Sequence, residues 1–310
     1  MSLTAATTAA PPVRPGPPTV VLASCRDLPT GDGDESALLP ALAEIGVHVE
    51  WAAWDERPER FDSADLVVLR ATWDYPQRRD EFLAWCDSVP TLVNPAEVAR
   101  WNTDKSYLVD LARAGVPVVP TEVVAPGETP RWPLGEFVVK PAVGAGSRGA
   151  ARFAEDTHQA AADHLADLHA RGGAAIVQPY QPSVDVEGEM ALVFFAGTYS
   201  HAFAKGPMLR RDAATDGSGL FVTERLAPAE PDPARRRVAE DAMDAASHLL
   251  GLRRTDLLYA RVDVVRDHNG RPMVLELELT EPSLGLRQTD PAAALRLASA
   301  IRAALTLSLI

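Results

Sequence analysis

The chain has 310 residues, 46% of them apolar, and its 30 lysines and arginines against 43 aspartates and glutamates give a formal charge of −13. That length supports two or three small domains with real cores, and the acidic balance argues against a protein whose main work is holding nucleic acid, which draws on basic residues. No run approaches the roughly 18 continuous apolar residues of a membrane span, and two cysteines, Cys25 and Cys86, are too few for a disulfide framework.

Residues 1–18, MSLTAATTAAPPVRPGPP, lack an apolar h-region and end in prolines; a disordered leader ahead of a cytoplasmic protein is expected. A β-branched run then predicts a strand over 19–24, followed by a helix near 35–46, strands over 47–53 and 65–70, a helix over 77–88 and a short strand over 91–93. Alternation of this kind predicts a small parallel α/β domain over residues 19–100. Its first strand runs into Ala-Ser-Cys-Arg-Asp instead of a glycine-rich turn, which disfavours a dinucleotide site.

From Asn102 the pattern changes. Asn102 is expected to cap a helix to Ala114, ended by Gly115 and Pro117. Strands over 118–124 and 137–140, a glycine loop at 144–149, a helix over 156–171 and a strand over 174–178 complete a lobe spanning 101–180. A second lobe, 181–310, should hold strands over 189–196, 198–204, 257–265 and 273–279, a helix over 233–250, and a last helix capped by Asp290 with Pro291 at its first position.

Two segments carry chemistry. In Phe137-Val-Val-Lys140-Pro-Ala-Val-Gly144-Ala-Gly146-Ser147-Arg148-Gly149, a lysine ends a buried strand and the glycines let backbone N–H groups approach an anion. A glycine-rich turn beside a surface lysine is the alternative; a Walker A loop is excluded, since no Gly-Lys-Ser/Thr closes the run. The second segment is Arg261-Val-Asp263 followed, thirteen residues after the aspartate, by Glu276-Leu-Glu278-Leu-Thr280-Glu281-Pro282. Alternation puts Arg261 and Asp263 on one strand face, and Glu276 and Glu278 on one face of the next. If those faces coincide, three carboxylates meet beside one arginine and need a cation, and hard oxygen ligands near phosphate suggest Mg²⁺. A solvated acidic face is the alternative, against which stand the flanking Leu275, Leu277 and Leu279.

Taken in order, Lys105, Lys140 with its loop, Gln178-Pro-Tyr180, Glu187-Gly-Glu189, Lys205, Arg261/Asp263 and Glu276/Glu278 resemble the ATP-grasp superfamily over about residues 100–290. The Lys-Pro-x-x-Gly-x-Gly and Glu-x-[Asn/Glu]-x-Thr-x-Pro runs resemble its glutathione synthetase-like branch; the Arg-x-Asp pair and the thirteen-residue interval resemble D-alanine–D-alanine ligases. The run Arg70-Ala-Thr72-Trp73-Asp74-Tyr75 is similar to the D-cycloserine synthetase type of ATP-grasp protein. The resemblance implies an α/β fold in which two α+β lobes clasp ATP beside the parallel N-terminal domain. Lys105 and Lys140 would meet the phosphates, with Gly144, Gly146 and Ser147 closing over them. Gln178 to Tyr180 would read the adenine and Glu187 or Glu189 the ribose. Lys205 would lie near the transferred phosphate, and Asp263, Glu276 and Glu278 would carry two Mg²⁺ ions. Glu278 departs from the usual asparagine; oxygen ligation survives, with a changed charge.

The implied activity is Mg-ATP-dependent joining of a small-molecule carboxylate, activated as an acyl phosphate, to a nitrogen nucleophile, by ligation or by ring closure. Arg261 would stabilise the oxyanion. A non-catalytic nucleotide-binding module and a ligase acting on a protein terminus or carrier are the rivals. Neither nucleic acid nor membrane is an expected partner, and self-association is left open. For the acceptor, ligands gather at the carboxyl ends of parallel strands, which points to Arg70, Thr72, Asp74 and Tyr75. Arg70 is expected to pair with a carboxylate and Asp74 with an amine; packing of Trp73 and Tyr75 under the next lobe is the alternative. Arg210 and Arg211, in a polar stretch, are candidates for a loop over the site.

Overall fold

The β-branched run after the prolines forms β1 (Thr19–Ser24) in the computed structural model, which describes residues 16–209, 220, 225–289 and 291–308. Most of the expected leader, Arg210, Arg211 and the capping residue Asp290 lie outside the described residues. With β2 (His48–Ala53), β3 (Leu66–Ala71) and β4 (Leu92–Val93), β1 builds a parallel sheet in the order β2-β1-β3-β4. Successive residues serve opposite faces. Val20, Leu22 and Val68 pack with α1 (Leu38–Glu44) and with the chain's closing helix. Val21, Val67 and Leu69 pack with Phe61 of α2 (Pro58–Asp62) and Phe82 of α3 (Arg79–Ser88). A parallel sheet covered on both faces reads as near-continuous apolar runs, which is why these strands stand out in the sequence.

The expected helix starting at Asn102 is two helices, α4 (Ala96–Asn102) and α5 (Tyr107–Arg113), so Asn102 ends one helix instead of capping the next. Its side chain is used elsewhere: Nδ2 donates to the Leu277 carbonyl at 2.7 Å and Oδ1 accepts from the Leu279 N–H at 2.6 Å. The next sheet is antiparallel, in the order β5-β8-β6-β7, from β5 (Glu122–Val124), β6 (Phe137–Pro141), β7 (Ala151–Phe153) and β8 (Ala175–Pro179). Ala161, Leu165 and Leu168 of α6 (His158–Ala170) cover it.

After the short α7 (Ser183–Glu187) come β9 (Glu189–Phe195), β10 (Thr198–Lys205) and β11 (Leu226–Pro228), then α8 (Pro233–Leu250), β12 (Tyr259–Arg266) and β13 (Pro272–Glu278). These strands form an antiparallel sheet in the order β11-β10-β9-β12-β13. Asp232 caps α8 by accepting from the Ala234 and Arg235 N–H groups, and Gly251 ends it in a left-handed conformation. The closing helix α9 (Ala292–Ser308) places Leu297 and Ile301 in one core with β1, β3 and β9, tying the parallel sheet to the large antiparallel one.

β13 lies at a sheet edge, where unpaired backbone groups need partners. They find them in residues 102–119. Tyr107 Oη accepts from Leu277 N at 3.0 Å, Pro117 O accepts from Val274 N at 2.8 Å, and Val274 O accepts from Val119 N at 2.9 Å. The expected strand over 118–124 is accordingly split: Val118 and Val119 bridge to β13, and only Glu122–Val124 joins the small sheet. Among the described residues, no helix is long and apolar enough to cross a membrane. Both cysteines are buried and free.

Candidate active site

The hairpin register brings the acidic faces together. Asp263 pairs across β12 and β13 with Glu276, and Arg261 with Glu278. Asp263, Glu276 and Glu278 each offer an oxygen within 4.8 Å of the others. The guanidinium of Arg261 grips Asp263 at 2.9 and 3.0 Å, bonds to Glu278, and donates to the Ser283 carbonyl at 2.9 Å. Lys205, at the end of β10, lies 2.8 Å from Asp263 and 3.1 Å from Glu189, its partner in the strand ladder. Gly188 makes that approach feasible. Its φ is +73°, and a Cβ there would stand 2.3 Å from the Lys205 carbonyl oxygen.

Two more lysines arrive from elsewhere in the fold. Lys105 and Lys140 reach Glu276 at 3.3 and 3.4 Å. Lys105 also donates through Nζ to the Gly144 carbonyl at 2.8 Å and through its backbone N–H to Ala142 O at 2.8 Å, so it fastens the start of the glycine loop. Within that loop Gly146 and Ser147 both have positive φ, 62° and 57°.

The charges interact strongly. Burial works against Asp263 and Glu276, yet cations outweigh it: Arg261 then Lys205 hold the first below the ordinary carboxylate range, and Lys105 then Lys140 hold the second well below. Glu278 goes the other way. Burial, with Asp263 and Glu276 adding to it against Arg261, pushes it up to about 7. Burial lowers Lys140, with Lys105 reinforcing it, whereas Glu276 and Glu278 overcome burial to raise Lys105. Three crowded carboxylates, one forced toward neutrality, make a hard oxygen donor set whose repulsion a divalent cation relieves; the residues fit Mg²⁺.

One cavity collects most of the expected site residues. Lys105, Lys140 and Lys205 line it together with Glu189, Glu276 and Glu278, and so do Gly144, Gly146, Ser147, Gln178 and Tyr180. Gln178 donates to Thr121 Oγ1 at 2.9 Å, and Tyr180 donates to Asp185 at 2.7 Å beneath the guanidinium of Arg152. Asp263 and Arg261 stand just behind, holding Glu278 and Lys205.

Other expectations need correction. Of the two ribose candidates only Glu189 lines the cavity; Glu187 ends α7 and pairs with Arg235 and Arg266. Three of the four acceptor candidates are also elsewhere. Arg70 is 2% exposed, its Nε on Glu35 at 2.8 Å and its Nη2 on the Pro282 carbonyl at 2.8 Å. Thr72 is fully buried, and Asp74 accepts from Trp54 Nε1 at 2.8 Å and Arg78 Nη2 at 2.6 Å. Residues 281–287 and the short 3₁₀ turn Asp34–Ala37 cover the end of β3, so its carboxyl end is interior. Tyr75 does line the cavity, as do Trp73, Asn102, Arg148 and Glu281. The signal for Glu281 was present in the extra carboxylate of Glu276-Leu-Glu278-Leu-Thr280-Glu281.

The chain is similar to known proteins over most of its length. A family model described as the N-terminal domain of D-cycloserine synthetase DcsG matches residues 20–94. The chain is 40% identical over 283 residues to the cycloserine biosynthesis protein DcsG of Streptomyces lavendulae, which covers 87% of this chain and 93% of that protein. A crystal structure of D-cycloserine synthetase DcsG aligns with TM-score 0.82 and 37% identity over 93% of this chain and 99% of its own. The D-alanine–D-alanine ligase of Bacillus anthracis, solved with ATP, aligns with TM-score 0.62 over 94% of this chain and 98% of its own; at 14% identity this is a likeness of fold.

Proposed function

Because this chain belongs to the D-cycloserine synthetase family of ATP-grasp ligases, we propose that it uses ATP to close a ring within one small amino acid-like molecule, joining its carboxyl carbon to its own nitrogen. The observation that carries the reading is the single cavity in which Lys105, Lys140 and Lys205 face the carboxylate hairpin beside a glycine loop.

In this reading Lys105 and Lys140 orient the phosphates, the backbone of residues 144–149 covers them, and Gln178 and Tyr180 receive the base. Glu189 receives the ribose. Asp263, Glu276 and Glu278 hold Mg²⁺, two ions in our assignment, which supplies charge neutralisation to the phosphates. A substrate carboxylate oxygen attacks the γ-phosphorus, and the bond to the bridging oxygen breaks to release ADP. Lys205 stands where the transferred phosphoryl group passes. The nitrogen then attacks the carbonyl carbon, Arg261 stabilises the oxyanion, and the C–O bond breaks to release phosphate as the nitrogen loses its proton. No protein nucleophile takes part. D-cycloserine, the compound in the relative's name, is itself a ring closed by an amide-type bond.

A phosphate-release assay with Mg-ATP and serine-derived amino acids carrying a side-chain nitrogen tests this. One ADP, one phosphate and one cyclic product per substrate are expected. Turnover that requires a separate amine overturns ring closure, and ATP binding without phosphate release under any substrate favours a nucleotide-binding module.

A further inference from the structure

The cavity holds one carboxylate that the nucleotide and metal assignments leave over. Asp263, Glu276, Glu278 and Glu189 each have a lysine or arginine partner. Glu281 lines the same cavity at 8% exposure and takes part in no ion pair among the described residues. The phenol of Tyr75 lies beside it and lines the same cavity. Trp73 also lines the cavity, and its indole N–H donates to the Glu281 carbonyl at 3.0 Å.

The surrounding bonds fix this group in place. Arg70 holds the next carbonyl, Pro282 O, at 2.8 Å, and Asp34 accepts from the Leu284 N–H at 2.9 Å. The run from Arg70 to Tyr75 thus holds residues 281 and 282, with Trp73 on the Glu281 backbone carbonyl and Tyr75 beside its carboxylate. A buried carboxylate in a cavity is suited to a cation, through a charge-assisted hydrogen bond. Arg148, from the glycine loop, spends Nη2 on the Trp73 carbonyl at 2.7 Å.

We propose that Glu281, supported by Tyr75 and Trp73, binds the ammonium group of the amino acid substrate and thereby fixes which carboxylate meets the γ-phosphate. The proposal rests on the ring-closing reading above. It assigns the acceptor end of the cavity to a residue of the carboxylate hairpin's own trailing segment.

Titration calorimetry in the presence of Mg-ADP tests it with two probes, D-cycloserine and isoxazolidin-3-one, the same ring without the amino group. The wild-type protein should prefer D-cycloserine by about tenfold or more, the size of one hydrogen bond to a charged group. Glu281→Gln should reduce that preference to below about threefold while Mg-ADP affinity changes little, and Tyr75→Phe should reduce it partly. An unchanged preference in Glu281→Gln overturns the assignment and leaves ring closure standing. Parallel loss of Mg-ADP affinity overturns it too, by placing Glu281 among the metal or fold residues. Failure of D-cycloserine to bind wild-type protein that binds Mg-ADP removes both the ring-closing reading and this inference.

Discussion

Arg70→Met separates a structural from a substrate-binding role for the arginine at the end of β3. The guanidinium is 2% exposed and answers two demands, the Glu35 carboxylate and the Pro282 carbonyl, each at 2.8 Å. Removing one partner of a buried ion pair costs about 3–5 kcal/mol, because the other charge is left uncompensated. At about 1.5 °C per kcal/mol, the value that roughly 2.1 cal/mol/K of unfolding entropy per residue gives for a chain of 310 residues, the melting temperature should fall by roughly 5–8 °C. The loss should depend on pH. Burial raises Glu35 above its ordinary value and Arg70 opposes that rise, so without Arg70 the folded-state value climbs further. A carboxylate raised in the folded state stabilises when protonated, and that contribution disappears as pH rises through the raised value. The deficit should therefore be larger at pH 8 than at pH 5, and Arg70→Met/Glu35→Gln should recover most of it. Scanning calorimetry of wild type, both single variants and the double variant gives the full cycle. A single variant that melts within about 2 °C of wild type at pH 8 refutes the argument.

Glu276→Gln should reduce turnover about a hundredfold or more while circular dichroism reports a folded protein; wild-type turnover would remove the metal assignment. Asn102→Ala leaves the Leu277 carbonyl and the Leu279 N–H without their side-chain partners, so urea denaturation should show a loss of about 3 kcal/mol at one to two per group. A loss below about 0.5 kcal/mol would mean that the hairpin edge is held otherwise. Glu281 is pushed up to about 8, by burial first and Glu278 second, from an ordinary 4.5. Its protonated form stabilises the ligand-free fold below about 4.5, and that contribution is lost as pH climbs through about 8. Glu281→Gln stays neutral, so its melting temperature relative to wild type should rise from pH 5 to pH 9; a flat difference contradicts the burial argument.

The readable parts of the sequence were those in which local pattern and final environment coincide. β1 could be read to the residue because both its faces are covered, and the carboxylate hairpin because strand alternation and the Asp267–Gly270 turn fix its register. Lys140 and its glycines were legible for the same reason: a lysine at the end of an apolar strand is a local statement. Arg70 was misread because its partners lie 35 and 212 positions away, and a strand end says nothing about what later folds over it. Asn102 has a capping residue's chemistry, but its side chain bonds to backbone more than 170 positions away. Three-residue β7 and β11 are too short to show any period.

The lysines that meet phosphate in the proposed complex are the same lysines that now neutralise the carboxylate hairpin. Four cations, Lys105, Lys140, Lys205 and Arg261, stand among five acids, Glu189, Asp263, Glu276, Glu278 and Glu281, so the cluster is close to electrical balance by itself. Occupancy of such a cluster is a change of partners more than an addition of charge. A nucleotide arriving alone draws lysines from acids that are then left bare, and a divalent cation arriving alone displaces lysines that have no phosphate to receive them. Each arrival completes what the other leaves open, and by thermodynamic reciprocity each raises the other's affinity by the same factor. In that proposed complex the two are recognised as a unit, with the hairpin as the counter-charge that holds three lysines in the cavity beforehand.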